Sequence, residues 1–386
     1  MPSTNNDSTI KNILIMKKRL FISKFAALQL CSLAVLIIST SSIAQDLHFS
    51  QYNQTPSLVN PALTGASHTL RASVIYKDQW RGVTVPYKTF GASFEMKFKA
   101  SNWDKIDDKM TKAYKKSFSR LAGGLSFYND KAGDGNMGTS QVNFSLASFV
   151  PINVKNSLSV GLQASVVQRT IDFSKLIFPD QYNGTSYDPT ASNGENAASQ
   201  SFTYPDIAAG LNWSYGYSEK ALAANNSFRA NVGASMFHVN EPKQKFLTGS
   251  NEKLNAKYVL HGDFLIGVPN SNMALAPSYL MEFQGSTREI LLGMMCKYYF
   301  KEDSKYTGFI KRSALGLGAA FRNKDALILS ALVESGQYAV GFSYDVNTSK
   351  LTAASTGRGG PEIFIRFVTP NPFLYQMSTK AKYNLN

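Results

Sequence analysis

Four histidines, His48, His68, His238 and His261, are the natural starting points for acid–base or metal chemistry in this chain. No two of them stand at a spacing that would bring both imidazoles onto one metal ion. His261 and Asp263 lie two residues apart, on one face of a predicted strand, and read first as a polar pair and only second as a site. Of the two cysteines, Cys31 falls in a predicted signal peptide. Cys296 would then stand alone in the mature chain, which excludes an intramolecular disulfide and a cysteine-rich metal site.

The familiar catalytic motifs are missing. There is no G-x-S-x-G elbow and no Walker loop. Asp130–Asn136 reads D-K-A-G-D-G-N, but its third position is Ala132 where a calcium loop needs an oxygen ligand, so a tight turn is the better reading. Gly357–Gly360 leads into a predicted strand and not a helix, which argues against a phosphate cradle. We therefore expect no catalytic residue, no metal and no cofactor. A barrel-embedded hydrolase using a Ser or His near lipid head groups is the lowest-ranked alternative.

The elements that would position any site are strands. Segments of roughly ten residues alternate apolar and polar side chains and are divided by turn residues. In 88–99, Phe90, Ala92, Phe94, Met96 and Phe98 share one face, while Thr89, Ser93, Glu95, Lys97 and Lys99 share the other. In 203–217, Ile207, Ala209, Leu211, Trp213, Tyr215 and Tyr217 oppose Asp206, Asn212 and Ser214. In 336–346, Val340, Phe342, Tyr344 and Val346 oppose Ser343 and Asp345. Similar segments near 69–79, 118–128, 139–150, 157–170, 227–239, 257–268, 273–284, 287–300, 313–322, 325–334 and 361–369 bring the expected number to about 14, an even count.

Residues 17–44 have the layout of a secretory signal peptide. Lys17, Lys18 and Arg19 precede an apolar stretch from Phe25 to Ile38, and Ser42-Ile43-Ala44 offers small residues for cleavage after Ala44. Residues 1–15 read as an extension ahead of Met16. The apolar stretch is too short and interrupted for a spanning helix, and no later segment reaches about 18 consecutive apolar residues. The formal charge is +14; without the five basic residues and one acidic residue of 1–44 it is +10. That charge is dispersed, its nearest approach to a cluster being Lys112, Lys115, Lys116 and Arg120, so no nucleic-acid partner is expected.

Alternation fits either a soluble sandwich, with its apolar face inward, or a membrane barrel, with its apolar face on lipid. Two features favour the barrel. Aromatics gather at segment ends, as in Tyr76 and Trp80, in Trp213, Tyr215 and Tyr217, and in Tyr298, Tyr299 and Phe300. The polar faces carry small residues with isolated charges, as along Arg229, Asn231, Gly233 and Ser235. The expected fold is thus an all-β transmembrane antiparallel β-barrel spanning 67–369 in a bacterial outer membrane, with Glu95, Lys97, Arg229, His261 and Asp263 as candidate lumen residues. Both chain ends should lie in the periplasm. Connections 172–202, 240–255 and 347–360 should then face outward and 100–116 inward; 180–202 reads as a surface loop, and a tail, 370–386, follows the last strand.

Several blocks resemble the PorP/SprF family of the Bacteroidota. They are Gln45-Asp46-Leu47-His48-Phe49-Ser50-Gln51-Tyr52 with Asn60-Pro61-Ala62-Leu63-Thr64-Gly65, then Tyr76-Lys77-Asp78-Gln79-Trp80, Asp130–Gly135 and Gly341-Phe342-Ser343-Tyr344-Asp345-Val346. The resemblance spans the mature chain. It implies an outer-membrane barrel without enzymatic activity, tied to type IX secretion and gliding motility. Such a barrel would help to deliver or anchor secreted adhesin-type proteins and would contact periplasmic components of the machinery.

Residues 45–66 hold Pro56 and Pro61, several aromatics and amides, and no alternation. They could fold into the lumen as a plug or cap the periplasmic mouth. His48, Phe49, Gln51, Tyr52, Asn60 and Pro61 are its candidate contact residues. Sealing the barrel is the simpler role for them and partner recognition the alternative. A pore for small solutes is the competing function for the whole protein.

Overall fold

The computed structural model describes residues 49–369 other than 81–84, 99–120, 134, 154, 174–175, 177, 189, 192–199, 222–223, 245–252, 302–312 and 350–356. The expected signal peptide, His48, the 370–386 tail and the Lys112–Arg120 group lie outside the described residues. None of the described helices is long and apolar enough to cross a membrane.

The described residues form fourteen strands: β1 (Leu70–Gln79), β2 (Tyr87–Lys97), β3 (Leu121–Ala132), β4 (Met137–Pro151), β5 (Asn156–Ile171), β6 (Gln200–Ala221), β7 (Ala224–Phe237), β8 (Lys257–Gly267), β9 (Met273–Gln284), β10 (Thr287–Lys301), β11 (Ser313–Arg322), β12 (Ala326–Ser335), β13 (Tyr338–Asn347) and β14 (Arg358–Thr369). Each pairs antiparallel with its sequence neighbour, and β1 pairs with β14, from Leu70 opposite Thr369 to Lys77 opposite Glu362, so the sheet closes into a barrel. Closure leaves no edge strand with unpaired backbone groups, a condition a sheet must meet in lipid.

Alternation decides which side chains face out. On β2, Phe90, Phe94 and Met96 are exposed while Thr89, Ser93 and Glu95 are buried. Leucine, valine and isoleucine dominate the middle of the outer surface, as at Val142, Leu162, Leu211, Leu317 and Val340. Aromatics flank that band: Tyr76, Tyr258 and Phe321 at one end, Trp213, Tyr298, Phe300 and Tyr338 at the other. An apolar band between aromatic girdles is the signature of a lipid-facing barrel wall.

Three expectations need correction. Tyr299 does not join the girdle; it points inward, 5% exposed, against Ala274 and Ala314, because its neighbours Tyr298 and Phe300 take the outer face. The expected surface loop 180–202 ends earlier, since Gln200 already pairs with Ile171 and β6 then continues to a turn at Ala221. The lumen face is also not uniformly polar. Ile75, Leu280, Leu291, Ile328 and Phe364 point inward and are at most 2% exposed. An apolar patch inside a barrel needs an apolar partner, and residues 49–66 supply it.

The connections divide by barrel end. Those at 80–86, 133–136, 172–199, 238–256, 285–286, 323–325 and 348–357 share one end, called here the long-loop end. The others share the opposite, terminal end, where β1 begins and β14 finishes.

Candidate functional site: the segment inside the barrel

Phe49–Gly65 lies within the strand wall as two 3-10 turns, Tyr52–Gln54 and Pro61–Leu63, around one helical turn, Pro56–Val59. Pro56 and Pro61 each open a turn, where a missing N–H costs nothing and a fixed φ is already helical. The Asn60 side chain caps the second 3-10 turn by accepting from Ala62 N at 2.9 Å. Phe49, Gln51, Tyr52, Asn60 and Pro61 are all buried.

The beginning of the segment is held in the long-loop half. The backbone N–H groups of Ser50 and Gln51 donate to the two carboxylate oxygens of Glu362, each at 2.8 Å. Ser50 Oγ donates to Asp345 at 2.7 Å and accepts from Arg322 Nη2 at 2.8 Å and Lys77 Nζ at 3.0 Å. Gln51 Nε2 donates to Ser343 Oγ at 3.0 Å. Around this point Lys77 stands 3.4 Å from Asp345 and 3.8 Å from Glu362, and Arg322 stands 3.2 Å from Asp345 and 3.3 Å from Glu289. Such charges survive burial only because each meets an opposite charge and hydrogen bonds. Although β1 begins at the terminal end, the described start of the segment is therefore anchored in the other half.

The middle and end of the segment meet the opposite wall. Asn60 is fully buried; its Nδ2 lies 2.9 Å from Leu211 O and 2.9 Å from His261 Nε2. Ser235 Oγ donates to Val59 O at 2.6 Å and Ser159 Oγ to Ala62 O at 2.8 Å. Gly65 N donates to Glu95 at 3.0 Å, and Lys97 Nζ sits 4.8 Å from the centre of the Phe149 ring. On the near wall, Arg71 Nη2 donates to Asn53 O at 2.8 Å, Ser73 Oγ to Gln54 O at 3.0 Å, and Arg366 Nη1 to Gln54 Oε1 at 2.8 Å.

Glu95, Lys97, Arg229, His261 and Asp263 all lie on inward strand positions. The structure unites Glu95 and His261 with the segment, but it pairs His261 with Asn60 and not with Asp263. Arg229 and Asp263 line an interior cavity beside Tyr52. What the sequence missed is the cluster of Lys77, Arg322, Asp345 and Glu362, four charges on β1, β11, β13 and β14. Lys77 and Asp345 do stand in two of the blocks quoted above, although nothing in their spacing announces a contact.

His238 Nδ1 and Asp206 form a buried pair at 3.0 Å. Among the described residues no group of three His, Cys, Asp or Glu side chains could hold a metal ion. Asp130 accepts from Thr89 Oγ1 at 2.6 Å, and the chain turns at Gly133 and Asn136, which have φ of 67° and 44°. In the connection that follows β5, hydrogen bonds from the side chain and backbone of Thr190 hold the exposed Asp188 carboxyl below its usual range; it is a loop-stabilising contact.

A closed barrel with a lipid-facing apolar band and an occupied lumen defines a membrane β-barrel of the outer-membrane type. The family profile for type IX secretion system membrane protein PorP/SprF matches residues 41–367, and the chain belongs to that family. No functionally curated protein matches it significantly. Among solved structures it is similar to the toluene transporter TbuX of Ralstonia pickettii, at 11% identity over 82% of this chain and 94% of that one, with a TM-score of 0.45. It is also similar to BamA of Haemophilus ducreyi lacking POTRA domains 1–3, at 11% identity over 78% and 70% of the two chains, with a TM-score of 0.35. The beta domain of the Bordetella autotransporter Brka matches at 10% identity over 78% and 100%, with a TM-score of 0.34.

Proposed function

We propose that this protein is a non-enzymatic component of the type IX secretion and gliding machinery that helps a secreted, adhesin-type partner reach or stay on the cell surface. Its signal peptide is cleaved after Ala44, its long-loop end faces the exterior, and its terminal end meets periplasmic components of the machinery. Residues 49–66 act as a plug. The observation that carries this reading, beside family membership, is the buried hydrogen bonding of that segment to both halves of the lumen. Contacts of that kind suit a scaffold whose lumen stays shut better than a solute channel.

Deleting the gene should abolish surface display of the partner while leaving its synthesis intact, as read by labelling of intact cells. Normal display in the deletion strain would sink the proposal. The interior cavity favours a second reading, a pore for small solutes. Steady current from the purified barrel in planar bilayers would support that reading and count against the plug.

A further inference from the structure

Exposed charge on the strands of this barrel is sparse and sits at one end. Among the described residues, the exposed charged side chains of the fourteen strands are Lys88 on β2, Lys131 on β3, Arg288 on β10 and Arg358 on β14. All four are cations, and all four stand at the long-loop end. Inside the barrel, by contrast, Lys77, Lys257, Lys297 and Arg366 each meet a carboxylate. None of the four exposed cations has an ion pair or a side-chain hydrogen bond to another described residue.

Two of them, Lys88 and Lys131, face each other directly across the β2–β3 ladder. On the inner face their neighbours Thr89 and Asp130 are hydrogen-bonded at 2.6 Å, so alternation turns both lysines outward. Directly opposed side chains start about 5 Å apart, and like charges there repel. The carboxylate on the other side, Asp78 opposite Lys88 on β1, is 4% exposed, and no ion pair joins it to either lysine.

The level of the pair decides what neutralises it. Phe90 opposes the girdle residue Tyr76, and Lys88 lies two residues beyond Phe90, roughly 7 Å further toward the rim. There an aromatic girdle gives way to lipid head groups. Below the lysines the wall is apolar: Phe90 and Phe127 have ring centres 6.4 Å apart, and the small Ala92 sits between Phe90 and Phe94. An acyl chain running down from the lysine pair thus meets a recess flanked by rings. A phospholipid satisfies both parts of this surface, because its phosphate oxygens accept from two ammonium groups while its chains cover the aromatics.

We infer that Lys88 and Lys131 form a docking site for the phosphate of a membrane lipid in the leaflet at the long-loop end, with the acyl chains lying along the outer face of β2 and β3. The site holds whichever side of the membrane that end faces.

The test titrates the mature barrel in non-ionic detergent with dioleoyl phosphatidic acid and counts the lipids retained by native mass spectrometry. Dioleoyl phosphatidylcholine, whose phosphate carries a choline, should be retained more weakly. Lys88→Gln with Lys131→Gln should weaken the tightest phosphatidic acid binding about tenfold or more. Lys88→Arg with Lys131→Arg should keep it. Lys155→Gln with Lys243→Gln removes two exposed lysines from a turn and a loop and should leave it unchanged. Excess glycerol 3-phosphate, the head group without chains, should displace little of the lipid. Equal retention of the two lipids, equal binding by wild type and the Lys88/Lys131 glutamine pair, or an equal loss in the Lys155/Lys243 or arginine pair overturns the inference. Full displacement by glycerol 3-phosphate also overturns it, since the lysines would then hold a free phosphate and not a lipid.

Discussion

Glu362 and Ser50, 312 residues apart, are joined by a buried 2.8 Å hydrogen bond from the Ser50 backbone to one Glu362 oxygen; the other oxygen takes the N–H of Gln51. One carboxylate on the last strand thus fixes the start of the inner segment. Glu362 lies opposite Lys77 across the β1–β14 seam, so the same group ties the segment to the junction that closes the barrel.

Replacing Glu362 with Gln therefore removes more than a charge. The amide can accept only one of the two backbone N–H groups and turns an NH2 donor toward the other. It also removes one of the two carboxylates that stand beside Lys77. We expect a loss of about 3 kcal/mol in denaturant unfolding of the detergent-solubilised barrel. If residues 49–66 plug the lumen, conductance in planar bilayers should also rise. Wild-type unfolding and silent bilayers would show that Glu362 does not hold the segment.

Asn60 makes a second, separable anchor. Alanine at this position deletes the donor to Leu211 O and His261 Nε2 and the acceptor for Ala62 N, so we expect a loss of about 2–3 kcal/mol. Aspartate keeps the acceptor but places a second oxygen against the Leu211 carbonyl, and it should destabilise more than alanine. Equal midpoints for Asn60→Asp and wild type would refute the assigned hydrogen bonds.

Strand periodicity was legible because lipid and lumen make opposite demands on alternate residues, as along Phe90, Phe94, Thr89 and Glu95. Antiparallel neighbours then follow from short connections such as 133–136 and 336–337, which leave little choice of partner. Contacts across the lumen had no such signal. Ser50 meets Asp345 and Glu362 from nearly 300 residues away or more, and the pairing depends on how the segment folds between two walls. His261 shows the same limit: its sequence neighbour Asp263 lies on its strand face, yet its partner is Asn60, the cap of the Pro61–Leu63 turn on the inner segment. Tyr299 was misplaced because an aromatic near a strand end looks alike on either face.

Gly161 offers a way to displace the segment while leaving every barrel hydrogen bond in place. A Cβ there would overlap Ala62 N and the Pro61 carbonyl, which are backbone atoms and cannot rotate away. Gly161→Ala should move Pro61–Leu63 off the wall, at a cost of about 1–3 kcal/mol, while far-ultraviolet circular dichroism still reports the sheet. Limited proteolysis of the purified barrel should then cut within residues 49–66 faster than in wild type. An unchanged cleavage rate would mean that the close approach at Gly161 does not position the segment.

The outer face permits a test that separates lipid from water. Leu162 lies near the middle of β5, and Ile152 lies in the turn that precedes it; both face out, at 61% and 62% exposure. In water, arginine at two equally exposed positions would cost similar, small amounts. In a membrane, depth decides: a charge on the lipid face costs about 2–4 kcal/mol at the midplane and about 0–1 kcal/mol near an interface. Leu162→Arg should therefore destabilise the barrel refolded into phospholipid vesicles by about 2–4 kcal/mol, whereas Ile152→Arg should stay within about 1 kcal/mol of wild type. The long arginine side chain at 152 can also reach the head groups, which lowers its cost further. Equal effects at the two sites would place both in water and remove the physical basis for reading the leucine and valine band as a lipid contact.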